Sequence, residues 1–285
     1  MTLIADSGST KTDWCYGNNT NNYRILQTSG INPFHQAKEN IETIFSKELM
    51  PQLPKLSQQC NRIYFYGAGC LPQKVQSLKD VMTHFFPYAE IYIGTDLLGA
   101  SRAACNNTSG IVCIMGTGSN SCVYDGIQIR KNIPPLGYIL GDEGSGAYIG
   151  KRFLSDCLKG LLSNDLQKDF LKYLGMTYVQ IIEQVYQRPQ ANRFLSSFIP
   201  YIHQHKDIPQ IHKLLLDCFY AFFCRNVIPY HESLPVSFVG SIAWYFKDEI
   251  VQSAQSLHLS VARIIKNPIQ GLINYHLSDN KNENH

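Results

Sequence analysis

The stretch ADSGSTKTDW, Ala5 to Trp14, decides how the chain is read. It comes after an apolar start and looks like a phosphate-binding P-loop. A Walker loop reads G-x-x-x-x-G-K-[ST] and opens a helix whose N-terminus holds the phosphates. Here Gly8 stands three residues before Lys11, and no glycine adjoins the lysine. The residues after the turn are not helical in pattern either. Lys11, Asp13 and Tyr16 alternate with Thr12, Trp14 and Cys15 in a run that reads as a second strand, closed by Gly17–Asn19. The stretch is therefore strand, Gly/Ser/Thr turn, strand, and the Walker reading fails on both counts.

Working outward, strand patterns fall at Thr2–Ala5, Lys11–Tyr16, Tyr23–Gln27, Arg62–Tyr66 and Glu90–Ile93, with helical patterns near Ala37–Met50 and Pro72–Phe86. GTDLLGASRAAC then reads as a turn opening a helix, with Asp96 near its start. At Gly110 the pattern begins again: an apolar strand to Met115, the turn GTGSN, a strand at Ser121–Tyr124, an Asp125–Gly126 hairpin signal and a strand at Ile127–Asn132. Long helical stretches run from Ser145 to Ile228. PVSFVGSIAWYF then reads as buried strand, Gly-Ser turn and helix start. After it come a strand near Leu259–Ala262, a helix near Ile269–Leu277 and a disordered polar tail, SDNKNENH. Aligning the two glycine-rich turns superimposes Ser7-Gly8-Ser9 on Thr117-Gly118-Ser119. An offset of about 110 residues is far outside solenoid periods and points to a duplicated domain. The expected division is 1–107 and 108–285, with the final helix as a candidate to join the first domain.

Composition narrows the function classes. The 285 residues, 44% hydrophobic and 16% charged, describe one large or two ordinary globular domains. A formal charge of +3 with scattered Lys and Arg gives no footprint for nucleic acid. No run of about 18 apolar residues suggests a membrane span, and MTLIADSG carries no signal-peptide pattern. Nine scattered cysteines without a C-x-x-C pair read as reduced thiols in the cytoplasm. No HExxH or EF-hand loop occurs, and His203 and His205 read as a solvated helix face rather than metal ligands. The apolar run within Ile211–Ile228 reads as core packing, with a homodimer face as the alternative.

Two glycine-rich turns in matching positions offer backbone N–H groups and hydroxyls at close range to the β- and γ-phosphates of a nucleotide. Asp6, in the first turn, could attract the accompanying Mg²⁺ through water. This arrangement resembles the actin-like ATPase superfamily of sugar kinases, actin and heat-shock ATPases, and more narrowly its N-acetylglucosamine kinase branch within the BadF/BadG-type ATPases. The resemblance runs over almost the whole chain. DSGSTKT (Asp6–Thr12) and IMGTGSN (Ile114–Asn120) match the two phosphate segments, and GTDLLGA (Gly94–Ala100) the segment of the catalytic base. PLGYILGDEGSG (Pro135–Gly146) matches the sugar-side loop, and FVGSIAW (Phe238–Trp244) the adenosine segment. GDEGS after GTGSN is the most specific combination.

The resemblance implies an α/β fold of duplicated, ribonuclease H-like domains facing each other across a nucleotide cleft, and a kinase using ATP and Mg²⁺ whose domains close around an amino sugar. It implies Asp96 as the base accepting the proton of the sugar hydroxyl, while the residues alone equally allow an N-cap of the adjoining helix. Asn32 matches the sugar-binding asparagine, or is simply a turn residue. Gly118, Asn120 and Asp142, with Leu136 and Gly137 in the sugar loop, fall on the sugar side; Asp142–Glu143 could instead cap a helix. Ser9, Thr10, Lys11 and Thr117 fall on the phosphates, with Lys11 equally readable as solvated, and Gly240 with Ser241 on the nucleoside. Two departures stand out. Leu136-Gly137-Tyr138 replaces the Trp-Gly-His of the N-acetylglucosamine kinases, which removes an aromatic stacking face, and the cysteine-rich zinc motif of repressor-type sugar kinases is absent. The expected activity is phosphorylation of N-acetylglucosamine on its 6-hydroxyl. The alternatives are an ATPase that activates a partner enzyme and a silent sugar sensor.

Overall fold

The computed structural model describes residues 1–8, 10–53, 57–71 and 73–278. These fall into two compact units: Met1–Thr108 with Gly126–Gln128 and the chain from Asn267, and Ser109–Asp125 with Ile129–Lys266.

The first unit carries strands β1 (Thr2–Ser7), β2 (Lys11–Asn19), β3 (Asn22–Ser29), β4 (Arg62–Gly67) and β5 (Glu90–Thr95), in the sheet order β3-β2-β1-β4-β5. β1, β2 and β3 form an antiparallel meander, and β4 and β5 continue parallel to β1. The stretch Ala5–Trp14 is thus a hairpin, with Asp6 opposite Asp13 and Ser7 opposite Thr12. Side chains alternate between faces with period two. Leu3, Ala5, Ile63 and Phe65 join Trp14 in a core with residues of helices α1 (Lys38–Ile44) and α2 (Val75–Phe85). Trp14 is fully buried, meets Phe45 and Phe65 at 5.7 and 5.8 Å, and donates its indole N–H to Thr28 Oγ1 at 2.9 Å. The opposite face presents Ile4, Asp6, Tyr64 and Tyr66 in register, and it receives α3 (Asp96–Cys105) and the last helix, α13 (Ile269–Leu277).

Two local expectations shift. Gly17 does not close β2: the strand runs on to Asn19, and its register slips between Gly17 and Asn19. A side chain at Gly17 would lie 2.6 Å from Tyr23 Cβ, so the glycine serves a bulge instead of a turn. The helix expected to run to Met50 leaves α-geometry at Phe45 and finishes in a 3₁₀ turn at Met50–Gln52, where Pro51 has no N–H to donate. Ser9, Pro72 at the start of the second expected helix, and the polar tail beyond Ser278 lie outside the described residues.

The second unit repeats the plan. Strands β6 (Gly110–Met115), β7 (Ser119–Tyr124), β8 (Ile129–Ile133), β9 (Val236–Val239) and β10 (Val261–Ile265) give β8-β7-β6-β9-β10, the same order as the first sheet. Between β8 and β9 come α4 (Gly137–Leu140), α5 (Gly146–Leu158), α6 (Asn164–Leu174), α7 (Tyr178–Tyr186), α8 (Ala191–Ser196), α9 (Ile199–Gln204) and α10 (Pro209–Asn226). α11 (Ser241–Tyr245) and α12 (Lys247–Ser256) separate β9 from β10. In α10 the residues Ile211, Leu214, Leu215, Cys218, Phe219, Phe222 and Phe223 are all buried, at helical spacing. That apolar run packs into the core of this unit. All nine cysteines are free thiols. Among the described residues no helix is long and apolar enough to cross a membrane, and no group of three or more His, Cys, Asp or Glu could hold a metal ion.

Candidate active site

The strand registers refine the match between the two turns. β1 and β2 close over residues 8–11, from Ser7 to Thr12, whereas β6 and β7 close over residues 116–118, from Met115 to Ser119. Counted from the first strand, Gly8 therefore corresponds to Gly116, and the superposition of Ser7-Gly8-Ser9 on Thr117-Gly118-Ser119 is displaced by two residues. Counted back from the second strand, Thr10 corresponds to Thr117.

In the first unit the hairpin is braced from inside. Ser7 Oγ lies 2.7 Å from Thr12 Oγ1, donates to Ile31 O at 2.9 Å, and accepts the Ile31 N–H at 3.0 Å. Thr10 is exposed, and its carbonyl accepts the Gly30 N–H at 3.1 Å. The backbone that leads to Asn32 is thereby tied to the turn. Asn32 itself forms a turn, its Oδ1 accepting the Phe34 N–H at 3.0 Å. Lys11 is not free: its ammonium lies 2.8 Å from Oδ2 and 3.1 Å from Oδ1 of the buried Asp13, which also accepts from Gln27 Nε2 at 2.6 Å.

Asp6 faces Asp13 across the β1–β2 pair. Burial, with the carboxylates of Asp13 and Asp96 next in weight, pushes the Asp6 carboxyl from 3.8 up to about 7, against the opposing charge of Lys11. The folded carboxyl keeps its proton to higher pH than the unfolded one, so its stabilising contribution falls as pH rises from 3.8 to about 7. Asp6→Asn imitates the protonated form. The variant is expected to gain stability relative to the parent across that window and to level off above it. Urea unfolding of both proteins at about pH 5 and about pH 8 checks this, and a difference independent of pH would contradict it.

Asp96 is the first residue of α3. The cap is Thr95, whose hydroxyl accepts the Leu98 N–H at 3.2 Å, so Asp96 is relieved of the capping role that its sequence position also allowed. One carboxylate oxygen of Asp96 accepts the Leu97 N–H at 2.8 Å. Among the described residues no other side chain donates to this carboxylate. Burial raises the proton affinity of Asp96 above the usual carboxylate range, with the Leu97 bond opposing it. A carboxylate with an oxygen unclaimed by neighbouring side chains and with raised basicity is equipped to accept a proton.

In the second unit the turn at Gly116–Gly118 docks on α5, with Gly146 N–H donating to Gly116 O at 2.8 Å and Ala147 N–H to Thr117 O at 3.1 Å. Among the described residues the N–H groups of Thr117 and Gly118 have no acceptor, which leaves two donors for a ligand anion. Asp142 lies over this turn: its Oδ1 accepts the Ser119 N–H at 3.3 Å, and a Cβ at Gly118 would be 3.0 Å from its Oδ2. Burial raises the Asp142 carboxyl above its ordinary range, opposed by the Ser119 bond. Asp142 and Glu143 do not cap α5; Ser145 does, through the Tyr148 N–H at 3.1 Å. The buried Glu143 instead meets Arg225 Nε at 3.6 Å and Asn226 Nδ2 at 3.2 Å. Asn120 Oδ1 accepts from Ser121 N and Asn132 Nδ2, both at 2.9 Å.

The loop before Asp142 is unusual. Leu136 and Asp142 both take positive φ, 61° and 55°, which side chains with a Cβ rarely adopt, and Gly137 takes 72°. Leu136 is 62% exposed, and Lys151 holds the loop through Tyr138 O at 2.8 Å. Gly240 closes β9 at φ 128°, with Ser241 exposed at the start of α11.

No family model matches the chain. A solved structure from Porphyromonas gingivalis, provisionally named an N-acetylglucosamine kinase, is 43% identical, covering 97% of this chain and 98% of its own at a TM-score of 0.93. The chain belongs to the N-acetylglucosamine kinase family. A curated relative, the N-acetylmuramic acid/N-acetylglucosamine kinase of Clostridium acetobutylicum, is 27% identical over 209 residues. That match takes in 67% of this chain and 66% of the relative, just under two thirds of its length. A structure of MreB 5 of Spiroplasma citri bound to AMPPNP shares the actin-like α/β fold at 12% identity, with a TM-score of 0.54 over 96% of this chain and 95% of that one.

Three residues that contact or adjoin the candidate site residues carry no sequence signal that marks them. Asp13 lies within Ala5–Trp14, but its place opposite Asp6 depends on the hairpin register. Gln27 reaches it from β3 by the same register. Thr95 precedes Asp96, and both residue types favour N-cap positions, so composition alone cannot choose between them.

Proposed function

We propose that the protein transfers the γ-phosphoryl group of ATP to the 6-hydroxyl of N-acetylglucosamine. The observation that carries this reading is Asp96, whose proton affinity is raised and whose capping duty falls to Thr95. As the sugar oxygen attacks phosphorus, Asp96 accepts its proton; the leaving ADP departs on the opposite side. Most of the work in phosphoryl transfer is positioning and charge stabilisation. The Thr117 and Gly118 N–H groups, with Thr10, Lys11 and Ser9, would serve the phosphates, and Gly240 with Ser241 the nucleoside. Asn32, Gly118, Asn120 and Asp142 would hold the sugar, with Leu136 and Gly137 bounding it. Leu136 offers an apolar contact where a stacking ring is expected, which suits the acetamide methyl.

The donor set fits Mg²⁺ only through water. Among the described residues no three metal-ligand side chains converge, whereas Asp6 has a carboxyl whose ionised form a nearby cation would favour. When bound, the ion would neutralise charge on the phosphates. Release of ADP from Mg-ATP, monitored over N-acetylglucosamine, glucosamine, N-acetylmannosamine, N-acetylmuramic acid and glucose, tests the reading. N-acetylglucosamine is expected to stimulate most. Release that ignores every sugar would favour an ATPase acting on a partner enzyme, and no release at all would favour a sensor.

A further inference from the structure

The Asp96 carboxylate has few hydrogen bonds of its own, so its place is set by how the end of β5 and the start of α3 are seated. Tyr66 on β4 sits in register between Asp6 on β1 and Gly94 on β5. Both glycines flanking Asp96 lie against this one tyrosine. A Cβ at Gly94 would be 3.1 Å from two carbons of its ring, and a Cβ at Gly99 only 2.6 Å from Tyr66 Cβ. The end of β5 and the first turn of α3 are therefore seated on Tyr66.

The hydroxyl of that ring is held in turn. Arg102, in the last turn of α3, donates from Nη1 to Tyr66 Oη at 2.5 Å, and His276 Nε2 lies 2.9 Å from the same oxygen. The guanidinium lies 5.6, 5.1 and 5.1 Å from the ring centroids of Tyr66, Tyr92 and Tyr275. Among the described residues no carboxylate pairs with it, and its Nε is buried without an acceptor. A guanidinium that gives up water for a phenol and three rings is a costly way to end a helix. α3 is thus clamped at both ends onto one side chain, the near end through the glycines beside Asp96 and the far end through Arg102.

We infer that the Tyr66–Arg102 pair positions Asp96 for proton acceptance, Tyr66 and Arg102 acting through the seat of α3 without touching substrate. The inference rests on the proposed kinase activity. Tyr66→Phe keeps the ring in its seat and removes the hydroxyl's bonds to both Arg102 and His276, and Arg102→Lys separates the two. The Tyr66→Phe variant is expected to lower kcat about tenfold, within the cost of a small misplacement of a reacting group, and to leave KM for ATP and sugar within about twofold.

The deciding readout is a double-mutant cycle with Asp96→Asn. If Tyr66 works through the carboxylate, Tyr66→Phe has no further effect in the Asp96→Asn background. Arg102→Lys, which keeps the charge and an N–H donor for the hydroxyl but loses the planar guanidinium, is expected to retain part of the activity and to show the same loss of effect, and it serves if Tyr66→Phe folds poorly. An equal fold-loss in both backgrounds, or no loss in the parent, would overturn the inference and leave the kinase reading standing. A parent protein without sugar-dependent turnover would remove both.

Discussion

Asp96→Asn keeps the fold and nucleotide binding and lowers phosphoryl transfer by about 10²–10⁴, the usual worth of a positioned general base. The amide cannot accept the proton that the attacking hydroxyl must lose. It can still accept the Leu97 N–H through its oxygen, and Thr95 still caps α3, so the helix has no reason to fray. The loss should fall on kcat, with KM for ATP little changed. Steady-state rates with Mg-ATP and N-acetylglucosamine, alongside circular dichroism of both proteins, check this. Near-normal rates in a folded variant would mean that Asp96 only shapes the start of the helix.

The second large effect belongs to Gly240→Ala. The residue takes φ 128°, a region closed to side chains, and an added Cβ would lie 2.2 Å from Met115 O at the end of β6. The obstructing atom is backbone within a paired strand, so it cannot rotate away. Backbone strain of about 1–3 kcal/mol and overpacking of about 1–3 kcal/mol together suggest a loss of roughly 2–6 kcal/mol. That is a large share of the stability of an ordinary domain, about 5–15 kcal/mol. Urea unfolding of the variant measures it, and a change within the ordinary surface range of about 0.5 kcal/mol would contradict the account.

The hairpin at Ala5–Trp14 was legible because a period-two pattern on both sides of a glycine turn excludes the helix that a Walker loop needs. The duplication was legible for the same reason, since each repeat starts with such a hairpin, and the matching strand orders now give it a topology. Register was not legible. Gly8 pairs with Gly118 by residue type, yet the paired strand ends equate it with Gly116, because each turn begins at its own strand pairing and residue type does not reveal where that pairing ends. Asp13 carries no local mark, since its place opposite Asp6 exists only across strands. The sequence also allowed Asp96 as the cap of α3, and only the hydroxyl of Thr95 on the Leu98 N–H shows that Thr95 takes that position. The Tyr66–Arg102 clamp joins residues 36 apart through a side chain seated on two glycines, a pattern with no local signature.

The most direct test of the account is phosphorus NMR of the products formed from Mg-ATP and N-acetylglucosamine. ADP together with a phosphomonoester coupled to the two protons on carbon 6 of the sugar is expected, and the phosphomonoester is lost on Asp96→Asn. ADP accompanied only by inorganic phosphate, with the sugar unchanged, would contradict it.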